Sequence, residues 1–383
     1  MKILAASAAV VIFSITAFTP PTFIKQTPKS PTFGQQKIQV AILLDVSNSM
    51  DGLIEQAKAQ LWNMVIVMGK TKCETGNPKI EIALYEYGRS DNSEQAGFVK
   101  QISGFSTDLD QLSLELFKLT TNGGEEYCGQ VIYTSLDQLQ WDTYPLSYKT
   151  IFIAGNEDFL QGNLSYTKAC DEARKKGVIV NTIYCGDRLM GIQEHWNLLD
   201  ECGNGSFTNI KQDAKIEDPP TPYDSTLITL NYRLNSTYLY YGERGTLHYD
   251  NLQAADNFNA ELGNTARLMR VQAKSTTNGY VNYGWDLVDA NRADSSFIYK
   301  LDLKTLPDSL KNKSREEIRE AINKKTKERQ AIQTEIQRVS EHRNKYLLAE
   351  RTKGTAINNT PTLESEVEKI IRAQVTRFKM RID

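Results

Sequence analysis

Short apolar runs alternate with amphipathic segments between residues 38 and 210. The runs predicted as strands are 38–44, 80–87, 98–102, 149–154, 178–184 and 206–210. Between them, apolar residues recur at spacings of three and four, as in Leu53, Ala57 and Leu61, which is typical of a helix with one buried face. Strands that are apolar on both faces and are separated by helices predict an α/β fold with a doubly wound, mainly parallel sheet.

The pattern weakens after residue 210. A helix predicted after Asp218-Pro219-Pro220 ends at Gly242 and closes a predicted α/β domain of residues 37–242. Residues 243–305 are rich in Asn, Gln, Gly and Tyr and are predicted to be irregular. Their aromatic side chains are expected to pack against the domain surface, with a carbohydrate or peptide platform as the alternative.

Residues 306–383 carry two amphipathic segments joined by a polar loop. A capping box of Ser314 and Glu317 begins the first helix, and Thr362 begins the second. The apolar stripe of the first helix is interrupted by basic residues, namely Lys325, Arg329 and Arg343. These interruptions disfavour a long homodimeric coiled coil. A loop of about ten residues between the two helices predicts an antiparallel helical hairpin.

The N-terminus has the pattern of an export signal. Lys2 is followed by an apolar stretch from Ile3 to Phe18 and then by a proline pair. This stretch is shorter than the roughly 20 apolar residues that a membrane span needs. We therefore predict a signal peptide over residues 1–24, a flexible linker over 25–36 and an exported protein, periplasmic or secreted. The alternative is an uncleaved N-terminal anchor, which would place the protein at a membrane.

The chain has five cysteines, which are Cys73, Cys128, Cys170, Cys185 and Cys202. Their wide spacing has no CxxC metal-ligand pattern. In an oxidising compartment two disulfides could form, and Cys185–Cys202 is the first pair expected because these residues bracket a short segment between two predicted strands. The alternative is that several of the cysteines are small buried residues.

Composition and charge describe an ordinary globular chain. Of its 383 residues, 40% are hydrophobic, and 45 Lys and Arg nearly balance 47 Asp and Glu. These values disfavour disordered, multi-pass membrane and nucleic-acid-binding proteins. The balance is uneven, because residues 306–383 carry 18 basic against 12 acidic side chains, a net charge of +6. This basic tail predicts either a solvated helix face or docking on an acidic surface of the same chain or of a neighbour.

The clearest candidate for chemistry is the string Asp45-Val46-Ser47-Asn48-Ser49, between the first strand and the first helix. A carboxylate at a strand end and two hydroxyls spaced two apart can face one divalent cation, which prefers oxygen ligands. The alternative is helix capping, which selects the same residue types. A second polar loop, residues 120–126, precedes another helix of the same sheet. Because ligand sites lie at the carboxyl ends of parallel strands, this position favours a metal site.

Over about Ile38–Tyr241 the chain resembles the von Willebrand factor type A (vWA) domain with its metal ion-dependent adhesion site. The resemblance implies that Asp45, Ser47 and Ser49 bind a divalent cation, directly or through water. In that family a Thr of a second loop and an Asp of a third loop complete the site, which leaves one position for a carboxylate of a partner protein. The expected cofactor is Mg²⁺, with Ca²⁺ or Mn²⁺ as alternatives, and the expected partner is an unidentified protein that offers an acidic residue.

Two loops depart from the family pattern. Glu125 stands where the Thr is expected, with Thr120 and Thr121 just upstream, and Gly155 replaces the usual Asp. The predicted metal ligands are therefore Asp45, Ser47, Ser49 and Glu125, while the open candidates are Glu126, Thr121 and Asn156. Two carboxylates would neutralise a divalent cation and weaken its attraction for an acidic group of the partner.

Further strings resemble an exported bacterial subgroup of vWA proteins with a helical C-terminal extension, namely YEYG, TNGGEEYCG, AGNEDFLQG, VNTIYCG and WDLVD. No GxSxG, HExxH or nucleotide-binding motif is present in the sequence, and its three histidines are scattered, so we do not predict an enzyme. The predicted function is an exported, metal-dependent protein-binding module. The alternatives are a metal-free scaffold that acts through the C-terminal helices and, less favoured, a metal-assisted hydrolase.

Overall fold

The computed structural model describes residues 35–74, 76–200, 205–211, 218–353 and 362–382. The predicted signal peptide, the predicted linker up to residue 34 and Cys202 lie outside the described residues. The strands are β1 (Lys37–Asp45), β2 (Thr71–Lys72), β3 (Lys79–Tyr87), β4 (Lys100–Ser106), β5 (Tyr148–Gly155), β6 (Ile179–Cys185), β7 (Phe207–Ile210) and β8 (Arg381–Ile382). The helices are α1 (Asp51–Gly69), α2 (Leu109–Lys118), α3 (Cys128–Gln138), α4 (Tyr166–Lys176), α5 (Arg188–Gln193), α6 (Asp224–Asn235), α7 (Gly245–Leu262), α8 (Asn264–Lys274), α9 (Leu287–Ala293), α10 (Phe297–Lys300), α11 (Arg315–Lys353) and α12 (Leu363–Val375).

Six strands form one sheet in the order β4-β3-β1-β5-β6-β7. Neighbouring strands are parallel except β3 and β4, which pair antiparallel at one edge. β1 lies in the interior of the sheet, where Asp45 is opposite Tyr87 of β3 and Leu44 is opposite Ala154 of β5. The prediction of a doubly wound, mainly parallel sheet is confirmed. β2 and β8 form a separate antiparallel pair.

Helices cover both faces of the sheet, which explains why the strands are apolar on both sides. One core contains residues of α3 and α4, such as Val131 and Ala169, together with Trp196. The core on the other face contains residues of α1, α2 and α12. α7 and α8 form a further layer, because α8 packs against α1 and α7 packs against α2.

Helices α6 to α11 form an insertion between the last strand of the sheet and the helix that returns to it. β7 ends at Ile210, and α12, which follows the insertion, packs against α1 and β7. Gln56 of α1 joins the two ends of the insertion. Its Nε2 donates to Lys211 O (2.8 Å), and its Oε1 accepts from Leu363 N (3.0 Å). α12 therefore belongs to the sheet layers although the whole insertion separates it from β7.

Residues 243–305 are largely helical, so the prediction of an irregular segment is wrong. They contain α7, α8, α9 and α10. Their apolar periodicity is weak because polar side chains fill buried positions. Asn259 of α7 accepts a hydrogen bond from Trp62 Nε1 (2.8 Å), and Arg270 of α8 pairs with Asp110 (2.9 Å). A helix prediction based on the spacing of apolar residues misses helices whose buried positions hold polar side chains that form hydrogen bonds or ion pairs with one another.

The two predicted C-terminal helices are present as α11 and α12, but they do not pair as the predicted hairpin. α11 packs against α6, α8 and α9, whereas α12 packs against α1 and β7. Two basic residues that interrupt the stripe of α11 are buried anchors. Arg329 pairs with Asp286 (2.6 Å), and Arg343 pairs with Asp218 (3.0 Å). The basic tail therefore docks on acidic side chains of its own chain.

The contacts group Gln35–Asp383 into one compact unit. The boundaries predicted after residues 242 and 305 therefore do not separate independently packed domains. Although α11 has 39 residues, no helix of the described chain combines the length and the apolar composition needed to cross a membrane.

The expected disulfide between Cys185 and Cys202 is wrong. Cys185, at the end of β6, is a free thiol, and its side chain is buried in the core. Burial raises the pKa of this thiol well above its usual value. Cys170 of α4 is disulfide-bonded.

Candidate metal centre

The carboxyl ends of β1, β3 and β5 meet at one edge of the sheet, where the strand order reverses. β1 ends at Asp45, β3 at Tyr87 and β5 at Gly155. The chain winds from β1 to β3 and β4 on one side and then continues with β5, β6 and β7 on the other. In a doubly wound sheet, the connections diverge at this point and leave a crevice in which ligands bind. Asp45 lies in this crevice position.

Asp45 is a buried carboxylate with one oxygen that lacks a partner. Its exposed fraction is 0%. Oδ1 accepts a hydrogen bond from the backbone N–H of Ser47 (2.8 Å), whereas Oδ2 has no hydrogen-bond partner among the described residues. Burial removes the carboxylate from water and raises its pKa from 3.8 to about 7. A cation would supply the missing partner of Oδ2, so this carboxylate fits a metal ligand.

The hydroxyls of Ser47 and Ser49 lie in the turn between Asp45 and α1. Their oxygens are 3.5 Å apart. Asn156, which directly follows β5, donates from Nδ2 to Ser49 Oγ (3.1 Å). The turn after β1 and the loop after β5 are thus joined at this edge. Together they offer carboxylate, hydroxyl and amide oxygens, which are the ligands that hard cations prefer.

Glu126, in the loop before α3, is the second buried carboxylate of this region, with an exposed fraction of 8%. It lies near Asp45 beside Gly88, because a β-carbon at Gly88 would be 2.8 Å from Asp45 Oδ1 and 3.0 Å from Glu126 Cγ. Burial, followed by the negative charges of Asp45 and Glu157, raises the pKa of Glu126 from 4.5 to about 8. A cation between the two carboxylates would favour their ionised forms.

The loop of residues 120–127 is held against the end of β1. Asn122 N donates to Val46 O (2.9 Å). Thr121, one of the open candidates for a ligand, donates its hydroxyl proton to Asp51 Oδ1 on the first turn of α1 (2.6 Å). Thr121 therefore links this loop to α1, while the buried carboxylate of the same loop lies beside Asp45.

The loop after β5, which begins at Gly155, has no room for the Asp that the vWA family has at this position. A β-carbon at Gly155 would lie 2.5 Å from Tyr87 Oη and 3.0 Å from Asp45 Oδ2. Tyr87 is fully buried, and its hydroxyl donates to Ala154 O (3.0 Å). The tyrosine hydroxyl thus fills the space beside Asp45 that a larger residue at 155 would need. The departure from the family pattern at Gly155 follows from this packing.

The structure brings together three of the four predicted ligands, namely Asp45, Ser47 and Ser49. Glu125 is exposed, and its neighbour Glu126 is the buried carboxylate beside Asp45. Nothing in the spacing of two adjacent glutamates distinguishes them, because their burial depends on how the loop folds against Gly88. No group of three or more histidine, cysteine, aspartate or glutamate side chains in the described ranges could hold a metal ion. Hydroxyl and amide oxygens would have to complete any ligand set, and ion binding stays a prediction.

No family model matches this sequence, and no curated protein matches it. Among solved structures, a von Willebrand factor type A protein from Catenulispora acidiphila is 11% identical with a TM-score of 0.34, over 46% of this chain and 39% of that chain. An aerotolerance-related membrane protein from Bacteroides fragilis is 15% identical with a TM-score of 0.33, over 46% of this chain and 93% of that chain. Proximal thread matrix protein 1 from the mussel byssus is 14% identical with a TM-score of 0.33, over 45% of this chain and 42% of that chain.

This chain therefore spans well under two thirds of the Catenulispora and mussel proteins. Its own strand order and helix positions are those of a doubly wound sheet, with Asp45, Ser47 and Ser49 at the reversal of the order. The doubly wound, mainly parallel α/β architecture that the sequence resemblance implies is therefore confirmed.

Proposed function

We propose that this chain is an exported, non-enzymatic protein-binding module whose contact surface is organised by a divalent cation, Mg²⁺. The residues that would hold the ion are Asp45, Glu126, Ser47 and Ser49. The observation that carries the proposal is Asp45 Oδ2, a buried carboxylate oxygen without a hydrogen-bond partner among the described residues. A bound cation would balance this charge and would hold the loops after β1 and before α3 in one arrangement.

The charge of the site affects how a partner would bind. With Asp45 and Glu126 both ionised, their two negative charges match the charge of a divalent cation. An acidic side chain of a partner could still complete the coordination shell. It would be attracted less strongly than at a site with one carboxylate, so other contacts would have to supply part of the affinity.

The scaffold alternative places the partner on the C-terminal helices. In the structure, Ile332, Ile336 and Val339 of α11 and Val367 and Ile371 of α12 are buried in the core of the same chain. Their apolar stripes are therefore covered within the described chain. This packing favours the sheet edge over the C-terminal helices as the interaction surface.

Export is supported by the disulfide at Cys170, because disulfides persist mainly in oxidising compartments. Association with a membrane would require the N-terminal segment to stay uncleaved. We propose no catalytic role and no nucleic-acid partner. Turnover of simple esters or phosphoesters in the presence of Mg²⁺ would instead favour the metal-assisted hydrolase.

Isothermal titration calorimetry of Mg²⁺, Ca²⁺ and Mn²⁺ with the full mature chain tests the metal site. The wild type is expected to bind one ion, and Asp45→Ala is expected to bind none because the orphaned oxygen is removed. Glu126→Gln is expected to weaken binding by about tenfold or more. Its matched control is Glu125→Gln, which removes the neighbouring exposed charge and should leave the affinity nearly unchanged.

Each outcome of the titration is decisive for one part of the proposal. A wild type that binds none of the three ions would show that the metal site is wrong. If Glu125→Gln and Glu126→Gln lost the same ion affinity, the choice of Glu126 as the second carboxylate would be contradicted. The binding of an ion at Asp45 would not be contradicted by that result.

A further inference from the structure

A group of exposed apolar side chains lies at the carboxyl ends of β5 and β6, beside the candidate metal centre. It consists of Leu160, Leu189, Met190 and Ile192 and is called here the α5 patch. Of the ten large apolar side chains that are exposed among the described residues, four belong to this patch, and Leu189 is 69% exposed. Scattered exposed apolar residues are normal, whereas a contiguous group with a polar border marks an interaction surface.

The two chain segments of the α5 patch are bonded to each other. Phe159 N donates to Glu194 O (2.9 Å). Trp196 Nε1 donates to Glu157 O (2.7 Å). The loop after β5, which carries Leu160, is therefore fixed to the residues that directly follow α5.

Tyr184 determines which side of α5 faces outward. A β-carbon at Gly191 would lie 2.7 Å from Tyr184 Cγ, so α5 packs on the tyrosine ring through Gly191. Successive residues of a helix are rotated by about 100°. Leu189 therefore lies opposite Gly191, and Met190 and Ile192 lie on its two flanks. These side chains cannot turn inward unless α5 leaves the ring of Tyr184.

Three carboxylates border the α5 patch. Glu157 and Asp187 are exposed, and Glu194 is half-buried. Burial raises the pKa of the Tyr184 hydroxyl, and the negative charges of Glu194, Glu157 and Asp187 raise it further. Asp187 Oδ1 also accepts a hydrogen bond from Leu189 N of α5 (2.8 Å), and Glu157 and Glu194 belong to the two segments that are bonded to each other.

We propose that the α5 patch binds a segment of a partner protein that presents apolar and basic side chains on one face. The apolar side chains would cover Leu189, Met190 and Ile192, and the basic side chains would pair with the bordering carboxylates. An acidic segment would instead be repelled by them. Arg188 of α5 stacks on Phe207 (4.6 Å), and one positive charge leaves this border with a net negative charge. The surface does not use the ion, so it goes beyond the proposed metal-dependent contact.

Synthetic peptides test the α5 patch in a buffer with EDTA, which keeps the result independent of the metal site. The probe is a labelled peptide of about 15 leucines and lysines at helical amphipathic spacing. One control peptide has glutamate in place of lysine, and the other has serine in place of leucine. Fluorescence anisotropy with the full mature chain is expected to show binding of the leucine–lysine peptide and at least about tenfold weaker binding of both controls.

Variants of the chain locate the binding surface. Leu189→Ser/Met190→Ser is expected to weaken binding of the leucine–lysine peptide by about tenfold or more, and Glu157→Gln/Glu194→Gln should weaken it in the same direction. Leu348→Ser is the matched control, because Leu348 of α11 is 65% exposed and lies outside the patch. Thermal unfolding verifies that each variant is folded. If Leu189→Ser/Met190→Ser does not fold, the affinity of Glu157→Gln/Glu194→Gln for the peptide tests the proposal by itself.

Three results would overturn this proposal. The first is equal affinity of the leucine–lysine peptide for the wild type and both patch variants. The second is binding of the leucine–glutamate peptide as tightly as the leucine–lysine peptide. The third is no binding of the leucine–lysine peptide to the wild type.

Discussion

Asp45→Asn is expected to stabilise the metal-free protein at about pH 8 and to abolish its stabilisation by Mg²⁺. With a pKa of about 7, the buried Asp45 carboxylate is charged at that pH without a cation, which costs up to about 4 kcal/mol relative to the unfolded chain. Asparagine removes the charge and keeps an acceptor for Ser47 N, but its buried amide N–H groups offset part of the gain. The expected net increase in the free energy of unfolding is about 2 kcal/mol.

The same carboxylate makes the stability of the metal-free protein depend on pH. The pKa of Asp45 is about 7 in the folded protein and 3.8 in the unfolded chain. Between these two pH values the folded state keeps a proton that the unfolded state has lost. The stability linked to that proton is present below about pH 4 and is lost as the pH rises through 7. Glu126, with a pKa of about 8, extends the loss to about pH 8. Saturating Mg²⁺ should flatten this dependence.

Urea denaturation of the wild type, Asp45→Asn and Glu125→Gln measures both effects, with EDTA or with Mg²⁺, between about pH 5 and 8. Glu125→Gln is the control, because this exposed carboxylate belongs to the same loop region but lies outside the buried pair. It should follow the wild type. A wild type whose metal-free stability does not fall with rising pH, or an Asp45→Asn variant that Mg²⁺ still stabilises, would contradict the expectation.

Arg329→Met is expected to lower the free energy of unfolding by about 3–5 kcal/mol. Arg329 of α11 is 3% exposed, and its guanidinium lies 2.6 Å from Asp286 and 3.2 Å from Asp289 and donates to Thr237 O (2.9 Å). Methionine leaves the buried Asp286 carboxylate without its cation, whereas Asp289 keeps its ion pair with Arg292 (3.2 Å). Leaving one buried charge unpaired costs more than the ion pair contributes. Because Arg329 fastens α11 to the rest of the insertion, cleavage of α11 by proteases should also become faster.

The matched control is Arg338→Met on the same helix. Arg338 forms an ion pair with Glu335 (2.6 Å), with both side chains largely in solvent. Its loss should leave the free energy of unfolding nearly unchanged, because solvent screens an exposed ion pair. Urea denaturation of both variants gives the comparison. An Arg329→Met variant within about 1 kcal/mol of the wild type would show that the buried ion pairs do not hold α11 in place.

The sheet is predictable from the sequence because its strands have a strong local signal. Residues 38–44 and 151–154 are nearly all apolar, and the amphipathic helices between the strands have clear periods. The place of α12 is not predictable in this way. Residues such as Val367 and Ile371 identify a helix with one buried face, but they do not show whether α11 or the sheet covers that face. The sequence predicts that α12 packs against α11, its neighbour along the chain. This prediction is wrong because α12 packs against the sheet layers on the far side of the insertion.

The candidate site is predictable where it depends on consecutive residues and unpredictable where it depends on packing. Asp45, Ser47 and Ser49 lie together because they follow one strand, and their spacing alone brings them to one turn. The preference for Glu126 over Glu125 and the role of Tyr87 beside Gly155 arise from contacts between distant segments. A local pattern contains no information about such contacts.

A divalent cation is expected to bind at Asp45. Anomalous diffraction from crystals grown with saturating Mn²⁺ would locate it, because Mn²⁺ accepts the same oxygen ligands as Mg²⁺ and its anomalous signal distinguishes it from water. We expect an anomalous peak about 2.2 Å from Asp45 Oδ2 or from a water bound to it, next to Glu126 and the hydroxyls of Ser47 and Ser49. The absence of an anomalous peak at this edge of the sheet would contradict the claim.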